Sequence, residues 1–188
     1  MRDDLEVEAA KRPVLETERL VLRRFDGGDA AFILRLLNEP SFIANIGDRG
    51  VRTLQDAERY LVDGPIASYE RHGHGLWVVE RKVSPGPIGM CGLLKRDHLP
   101  DVDLGYAFFP EFWGHGYAHE SARATLDWAR SRRLERIVAI VSPGNAASIR
   151  LLEKLGFAFE SFTTMSPGAP DVALYGLNLA LASSREER

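Results

Sequence analysis

The stretch FPEFWGHGYAHESARATLDWAR (109–130) joins a run of aromatic residues to an amphipathic helix through a turn that contains Gly114 and Gly116. The turn follows a strand-like segment (101–110), and the helix begins near Tyr117. The first N–H groups of a helix have no internal partner and carry the positive end of its dipole. Glycines leave the backbone bare and permit unusual dihedral angles. The turn is therefore either a tight structural corner or a seat for a phosphate group.

Two common phosphate motifs are excluded by the residues that follow this turn. A Walker loop ends in Gly-Lys-Ser/Thr, whereas here Gly116 is followed by Tyr-Ala-His. A dinucleotide fingerprint needs a third glycine at position 119, which is His119 in this chain. That fingerprint also normally occupies the first strand–turn–helix unit, and this turn lies past the middle of the chain. Nucleoside triphosphates and dinucleotides are thus not the predicted ligands.

The composition is ordinary for a soluble globular protein. The chain has 188 residues, of which 45% are hydrophobic and 27% charged, and this length suits one domain with a substantial core. The formal net charge of -3 gives no reason to expect a nucleic acid as the main partner. No apolar run approaches the ~18 residues of a membrane span, and the N-terminal stretch lacks a signal-peptide core. We therefore expect no membrane partner and a cytoplasmic location.

Metal and disulfide chemistry have little support in the sequence. The single cysteine, Cys91, excludes an internal disulfide and any cysteine-based metal site. Cys91 lies in the apolar run PIGMCGLL, which predicts a buried structural thiol. His115 and His119 are spaced i,i+4, but the glycine turn between them argues against a shared helical face. No metal site is predicted.

Hydrophobic periodicity predicts one α/β domain over residues 14–181, between a flexible leader (1–13) and a solvated tail (182–188). Seven segments have strand patterns: 18–25, 75–82, 87–96, 101–110, 136–142, 158–165 and 171–181. Four segments have helical patterns: 26–40, 53–73, 117–132 and 145–157. The second of these is interrupted by Asp-Gly-Pro, so that it is either one broken helix or two. This order predicts a mixed sheet that is covered by helices.

Local signals indicate where several helices begin and end. Asp29 is a candidate N-cap for the first helix, and Pro40 is predicted to stop it. Thr53 and Asp56 have the spacing of a capping box. Asn145 is a candidate N-cap for the last helix.

Three motifs occur in an order that resembles one enzyme family. LGY (104–106), WGHGYA (113–118) and NAASIRLLEKLGF (145–157) resemble successive motifs of the GNAT superfamily of acetyl-CoA-dependent N-acetyltransferases. The likeness is strongest to the RimJ/RimL branch, which acetylates protein N-termini and diverse small amines. LETERLVLRRF (15–25) and PIGMCGL (87–93) extend it over nearly the whole chain. The resemblance implies an α/β (α+β) fold with a mixed, mostly antiparallel central sheet of about seven strands, splayed in the middle and flanked by helices.

The resemblance also implies where acetyl-CoA binds. The opening in the splayed sheet would receive the pantetheine arm, and the glycine turn would bind the pyrophosphate through backbone N–H groups. The residues that would supply these groups are Trp113, Gly114, His115, Gly116, Tyr117 and Ala118.

Many superfamily members have Gln or Arg where this chain has Glu111, so no side-chain contribution is expected from Glu111. Asn145 is implied to bond the pantetheine amides or to cap its helix, and these two roles are compatible. The basic run 129–136 lies either near the 3′-phosphate of coenzyme A or in solvent at a helix end.

Transfer of an acetyl group to an amine needs a proton acceptor, a donor to the forming oxyanion and a donor to the departing sulfur. Asp103 stands where the branch often has a glutamate, which implies a general base or amine binder, unless it is only a strand-end carboxylate. A backbone N–H near Tyr106 would stabilise the oxyanion. Leu152 occupies the position at which many members have a tyrosine that protonates the thiolate. Ser148, four residues earlier on the same helical face, is the available hydroxyl, or else a plain exposed serine.

Segments 38–53, 53–73 and 166–175 are expected to form the pocket for the acceptor amine, called here the acceptor side. Tyr69 and Tyr175 are expected among its lining residues. A protein N-terminal α-amine of the ribosomal-protein-alanine type is the leading acceptor class, followed by a small-molecule amine. The resemblance is compatible with a homodimer. A non-enzymatic alternative is a sensor or scaffold that binds acetyl-CoA or acyl-CoA without catalysis.

Overall fold

The computed structural model of the protein describes residues 13–99, 101–165 and 168–182, and it is built around one sheet of eight strands. The strands are β1 (Pro13–Glu16), β2 (Leu20–Arg23), β3 (Leu76–Arg81), β4 (Ser84–Leu94), β5 (Val102–Phe108), β6 (Arg136–Val141), β7 (Ala158–Thr164) and β8 (Asp171–Asn178). The helices are α1 (Ala30–Leu37), α2 (Pro40–Asn45), α3 (Leu54–Leu61), α4 (Ala67–His72), α5 (Tyr117–Ser131), α6 (Ala146–Lys154) and α7 (Leu179–Ala182).

The sheet is splayed between its two central strands. Its order is β1-β2-β3-β4-β5-β6-β8-β7, and every neighbouring pair is antiparallel except β5 and β6. The parallel pair is joined only where Val102 meets Ile137 and Asp103 meets Val138. β5 then continues to Phe108 without a partner on that edge, because the two strands separate. The predicted mixed, mostly antiparallel and splayed sheet is confirmed.

The N-terminal end of the sheet differs from the prediction. Pro13–Glu16 forms an eighth strand, β1, which pairs with β2. Periodicity predicts only seven strands, because this segment has four residues and merges with the charged leader. Pro13 and Ala182 therefore belong to regular elements, and the remaining residues of the predicted leader (1–12) and tail (183–188) lie outside the described residues.

The first predicted helix, 26–40, is in fact two helices. Asp29 stands at the N-cap position of α1, as predicted, but its side chain makes no capping hydrogen bond. A short 3₁₀ turn, Gly27–Asp29, precedes α1, and the side chain of Asp26 caps that turn by accepting from the N–H of Gly28. Asp29 is buried and pairs with Arg23 at 2.8 Å. Pro40 begins α2 rather than ending α1, because the first position of a helix does not need the missing N–H.

Segment 53–73 is continuous. The capping box of Thr53 and Asp56 is confirmed at the start of α3. A turn of π-helix, Val62–Ile66, then carries Pro65 and leads directly into α4. The predicted interruption is therefore a widened turn that accommodates the proline without breaking the helix.

Two hydrophobic cores cover the two faces of the sheet. Ala122 and Leu126 of α5 contribute to the first core, and Ile33 and Leu36 of α1 contribute to the second. Burial of each large side chain stabilises the fold by roughly 1.5–3 kcal/mol. Cys91 is fully buried in the first core, as predicted, and burial raises the pKa of its thiol to about 11.

Candidate active site

A cavity of about 720 Å³ opens where β5 and β6 separate, a size typical of small-molecule sites. Residues 103–108 of β5 form one wall, and residues 139–142 at the end of β6 form the other. The glycine turn and the first residues of α5 close one end, together with α6. Side chains of α1, α2 and α3 line the cavity from the face of the sheet that carries the second core. The sheet therefore provides a passage with a backbone-rich end at the glycine turn and a face that is rich in side chains.

The glycine turn has the backbone conformation that only glycine adopts readily. The φ angles of Gly114 and Gly116 are +77° and +81°, in the left-handed region. A Cβ atom at Gly114 would meet no atom within 4 Å, so the dihedral angle and not crowding requires this residue. Gly116 is the N-cap of α5, and no side chain caps the free N–H groups of the first turn. These groups remain available to an anion.

Five of the six predicted turn residues line the cavity: Trp113, Gly114, Gly116, Tyr117 and Ala118. His115 does not line it. The Nδ1 atom of His115 lies 2.8 Å from the carbonyl oxygen of Trp113, and its ring stacks on Tyr117. Glu111 is paired with Arg35 at 2.6 Å and is also absent from the cavity wall.

An ion pair with the N-terminal segment braces the turn, and the sequence did not reveal it. Arg19 donates from Nε to Glu120 Oε2 at 2.7 Å and from Nη1 to the carbonyl oxygen of His115 at 3.0 Å. The backbone N–H of Arg19 and the hydroxyl of Thr17 also donate to Glu120. Burial would raise the pKa of Glu120, but these hydrogen bonds and the charge of Arg19 lower it. The signal was present in the ThrGluArg of LETERL, but nothing local links it to residue 120.

A pair of hydroxyl groups lies on the cavity wall. Tyr106 Oη is 2.6 Å from Ser148 Oγ, and both residues line the cavity. Burial raises the pKa of Tyr106 to about 12, although the hydrogen bond with Ser148 lowers it. Leu152 is buried in the same wall, so this helix supplies no tyrosine there. The prediction considered only the backbone N–H of Tyr106 and missed its side chain.

Asn145 holds the start of α6. Its Oδ1 accepts a hydrogen bond from the N–H of Ser148 at 3.1 Å, as predicted for an N-cap. Its Nδ2 group has no hydrogen-bond partner in the part of the chain that the structure describes. Because Asn145 also lines the cavity, the amide N–H₂ group remains available to a ligand.

Asp103 is a buried carboxylate in the cavity wall. Its side chain is 1% exposed, and its Oδ2 accepts from Arg96 Nε at 2.7 Å. Its Oδ1 is buried without a hydrogen-bond partner among the described residues. Burial raises the pKa of Asp103 to about 6, although the charge and hydrogen bond of Arg96 lower it. A carboxylate in this state can accept a proton near neutral pH.

Asp103 and Tyr106 lie on opposite faces of β5. Side chains alternate along a strand, and the pairing of β5 with β4 runs without a bulge from Asp103 to Phe108. Tyr106 packs against the first core, which contains Leu104 and Phe108, whereas Ala107 belongs to the second. The carboxylate and the hydroxyl pair therefore approach the opening from different sides.

The structure removes Tyr69 and Tyr175 from the candidate site. Tyr69 is buried, and its hydroxyl donates to the carbonyl oxygen of Leu76 and accepts from the N–H of Phe25. Tyr175 is also buried, and its ring packs against Phe159. Neither lines the cavity, because both side chains are needed to fill the core.

The side chains of Arg49, Tyr60 and Arg96 line the cavity together with Asp103. Arg49 and Tyr60 fall in segments that were predicted to build the acceptor side, but no motif marked them. Within the described ranges, no cluster of three or more histidine, cysteine, aspartate or glutamate side chains has the geometry of a metal site. No described helix combines the length and apolar character that a bilayer crossing requires.

The comparisons with known proteins all indicate the same family. The sequence model of the acetyltransferase (GNAT) domain matches residues 19–158. The uncharacterized protein YkkB of Bacillus subtilis (strain 168) is 32% identical over 149 residues, which cover 77% of this chain and 85% of YkkB. The uncharacterized N-acetyltransferase YoaA of the same strain is 31% identical over 151 residues, or 79% of this chain and 84% of YoaA.

A solved structure agrees with the fold. RimL, a ribosomal alpha-N-protein acetyltransferase in complex with coenzyme A, superimposes with a TM-score of 0.76 over 89% of this chain and 98% of RimL. The two sequences are 16% identical, so this likeness concerns the fold alone. The predicted family and its enzymatic class are confirmed by the domain match and by the relatives.

Proposed function

This chain belongs to the GNAT family of acetyltransferases, and we propose that it transfers the acetyl group of acetyl-CoA directly to a primary amine in a ternary complex. One observation carries the proposal. The opening between β5 and β6 has an uncapped helix N-terminus at one end, the buried carboxylate of Asp103 at the other, and the Tyr106–Ser148 hydroxyl pair in its wall. The helix N-terminus suits the pyrophosphate of the cosubstrate, and a proton acceptor and a donor to sulfur are two of the three groups that the reaction needs.

The backbone-rich end suits the donor. The pyrophosphate would bind the free N–H groups at the start of α5, where the helix dipole favours negative charge. The pantetheine arm would lie between the separated strands, because residues 104–108 have no strand partner on the side of β6. Their backbone groups then pair with the pantetheine amides in place of a neighbouring strand. The free Nδ2 group of Asn145 is a further donor to this arm.

Asp103 is proposed to accept the proton of the attacking amine. An amine attacks only in its neutral form, and most amines are protonated at neutral pH. With a pKa of about 6, Asp103 is largely ionised at pH 7 and can take this proton directly or through one water. The backbone N–H groups on the open edge of β5, that of Tyr106 among them, are the candidate donors to the oxyanion.

The hydroxyl pair is proposed to stabilise the departing thiolate. A thiol has an ordinary pKa of about 8.5. Tyr106, with a pKa of about 12, is therefore too weak an acid to transfer its proton completely to the sulfur. If Tyr106 donates to Ser148 Oγ, the serine proton can form a hydrogen bond to the thiolate. If Ser148 donates, the tyrosine proton can turn to the thiolate from the carbonyl oxygen of Ser148, which lies 3.4 Å from Tyr106 Oη. We thus assign the role of sulfur donor to Tyr106 and Ser148 together, not to Ser148 alone.

Two acceptor classes fit this mechanism: a protein N-terminal α-amine, as for the alpha-N-protein acetyltransferase RimL, and a small-molecule amine. Nothing in the comparisons supports a sensor or scaffold without catalysis. A thermal-shift panel of CoA, acetyl-CoA and longer acyl-CoAs, followed by a thiol-release assay with a library of amines and peptides, tests the proposal. We expect stabilisation by CoA and acetyl-CoA and amine-dependent thiol release.

The outcomes of this experiment separate the alternatives. If no CoA species stabilises the protein, the assignment of the donor seat is wrong. Stabilisation without thiol release for any amine or peptide would favour the sensor. Faster release from a longer acyl-CoA would change the donor but keep the mechanism.

A further inference from the structure

The acceptor side of the cavity carries more positive than negative charge. Its charged side chains are Arg49, Arg96 and Asp103, so that a single carboxylate faces two guanidinium groups among the described residues that line it. Ser41 and Tyr60 are polar but uncharged neighbours. A polyamine or a basic peptide would bring further positive charge to this end, which costs free energy in a partly desolvated site.

Arg96 is only partly used by the protein. Its Nε donates to Asp103, whereas Nη1 and Nη2 have no hydrogen-bond partner in the described part of the chain. The side chain is 23% exposed and lines the cavity, so these two nitrogens remain accessible to a ligand. A guanidinium fork matches the two oxygens of a carboxylate or of a phosphonate.

Arg49 reinforces this region from the loop between α2 and α3. The neighbouring Asp48 pairs with Arg52, so that Arg49 has no ion pair among the described residues. Burial raises the pKa of Tyr60, and the positive charges of Arg49 and Arg96 both lower it. The two arginines therefore both lower the pKa of the same hydroxyl group, and all three residues line the cavity.

We propose that the acceptor is a small zwitterionic amine, of the free amino acid or aminophosphonate class. Its anionic group binds the Nη groups of Arg96, with Arg49 adding positive charge. This holds its amine beside the buried carboxylate of Asp103, which takes up the amine proton through a water molecule. Arg96 Nε is 2.7 Å from Asp103 Oδ2, so the amine and the anionic group must lie on the same carbon or on nearby carbons. A peptide N-terminus has its terminal carboxylate far from the amine and lacks this pairing.

This inference rests on the proposed acetyl transfer. The bond between the acetyl carbon and the amine nitrogen forms, and the bond from that carbon to the sulfur of CoA breaks. The amine proton passes to Asp103, and CoA leaves as the thiolate. The anionic group of the acceptor takes no part in the bond changes and serves only to position the amine.

The test compares matched acceptors with the full-length protein and saturating acetyl-CoA. Each of a set of free L-amino acids is assayed beside its carboxamide and its decarboxylated amine. Rates are expressed per concentration of neutral amine, because the three amines differ in pKa. We expect kcat/KM for the best amino acid to exceed that of its carboxamide by about tenfold or more, since the amide leaves Arg96 without its anionic partner.

Variants separate a specific role of the arginines from damage to the fold. Arg49→Gln and Arg96→Gln should each reduce the ratio of the two kcat/KM values, acid over carboxamide, towards one. Arg59→Gln, at an exposed position of α3 that does not line the cavity, should leave the ratio unchanged. Partial unfolding does not mimic the effect, because it lowers both kcat/KM values and leaves their ratio unchanged. Arg49→Gln also leaves the ion pair between Arg96 and Asp103 intact.

The result that overturns this inference differs from failure of the proposed function. If no amine or peptide is acetylated, the proposed function fails. If amines are acetylated but carboxamides, decarboxylated amines or peptides are equal to or better than the free acids, only the zwitterionic acceptor is wrong. An acid-over-carboxamide ratio that is unchanged in both arginine variants also contradicts it.

Discussion

The hydroxyl of Tyr106 on β5 lies 2.6 Å from that of Ser148 on α6, so that a strand and a helix from different parts of the chain form one hydrogen-bonded pair in the cavity wall. Removal of one hydroxyl leaves the other without its partner. Because the pair is proposed to act on the departing sulfur, its loss should affect the chemical step and not the binding of the donor.

Tyr106→Phe should lower kcat by roughly tenfold to a hundredfold, because the thiolate then loses one of the two hydroxyl groups proposed to stabilise it. The Kd of acetyl-CoA, measured by calorimetry, should change little. Tyr175→Phe is the matched control, since Tyr175 is buried outside the cavity and its hydroxyl has no hydrogen bond among the described residues. An equal loss of kcat in both variants would contradict the role of Tyr106.

Ser148→Ala should also lower turnover more than acetyl-CoA binding, but by less than Tyr106→Phe, because the tyrosine hydroxyl remains. The double variant should be less impaired than the product of the two single effects, since the two groups act as a unit. Pre-steady-state thiol release measures the chemical step directly. Unchanged turnover in Ser148→Ala would remove Ser148 from the mechanism.

The value of kcat/KM should fall at low pH, and this limb of the pH profile should have its midpoint near 6. Burial raises the pKa of Asp103 to about 6, and only its ionised form accepts a proton. Activity should therefore be lost as the pH falls through this value and should level off above it, when rates are expressed per concentration of neutral amine.

Asp103→Asn should abolish this limb and lower kcat/KM by roughly a hundredfold or more. Asp97→Asn, at an exposed carboxylate in the loop that precedes β5, should keep the limb. If the limb persists in Asp103→Asn with its midpoint unchanged, another group is the base and Asp103 only positions the substrate.

Gly116→Val should raise the Kd of acetyl-CoA severely, because a branched side chain is strained at φ +81° and covers the free N–H groups of α5. Gly73→Val is the matched control. Gly73 ends α4 at φ +73°, and a Cβ there meets no atom within 4 Å. Both variants should lose about 1–3 kcal/mol of stability from the backbone angle. Only Gly116→Val should weaken the binding of acetyl-CoA. Equal Kd values for acetyl-CoA in the two variants would contradict the proposal that the glycine turn binds the pyrophosphate.

Glu120→Gln should loosen the brace of the glycine turn. Thr17 and Arg19 lower the pKa of Glu120, so its stabilising effect is present above about pH 4.3, the ordinary pKa of a glutamate, and is lost as the pH falls through the lower folded value. The Tm of the wild type should therefore fall more steeply below pH 4 than that of the variant. The cost near neutral pH should be about 0.5–1 kcal/mol, because Arg19 is largely exposed. Glu58→Gln, at an exposed position of α3, is the control, and an identical acid profile would contradict the brace.

Features that depend on neighbours in the chain were predictable. The strand, glycine turn and helix around Gly116 follow one another directly, and Asn145 caps the helix that it precedes. Such features need only residue spacing, turn chemistry and capping. The splayed sheet came from the resemblance of motifs and not from periodicity, because strand patterns do not specify which strands pair.

Features that depend on packing between distant segments could not be predicted. The hydroxyl of Tyr106 meets Ser148 across 42 positions. The sequence predicts Tyr69 and Tyr175 as cavity residues, but an aromatic side chain in a strand or helix can fill a core or line a pocket equally well. Their burial is decided by the opposing layer, which a single sequence does not show.

Because Arg19 contacts Glu120, the proposed anion seat can form only after the ribosome has synthesised the segment that contains Glu120. The two residues are 101 positions apart, so the ribosome releases the N-terminal strand long before the helix that it must hold. An N-terminal fragment cannot complete the seat, and a chain that starts at Leu20 would retain most of its sheet while lacking Thr17 and Arg19. Truncation or circular permutation of the chain in front of β2 should therefore yield a folded protein that binds acetyl-CoA weakly. Folding and acetyl-CoA binding could thus be separated at that boundary.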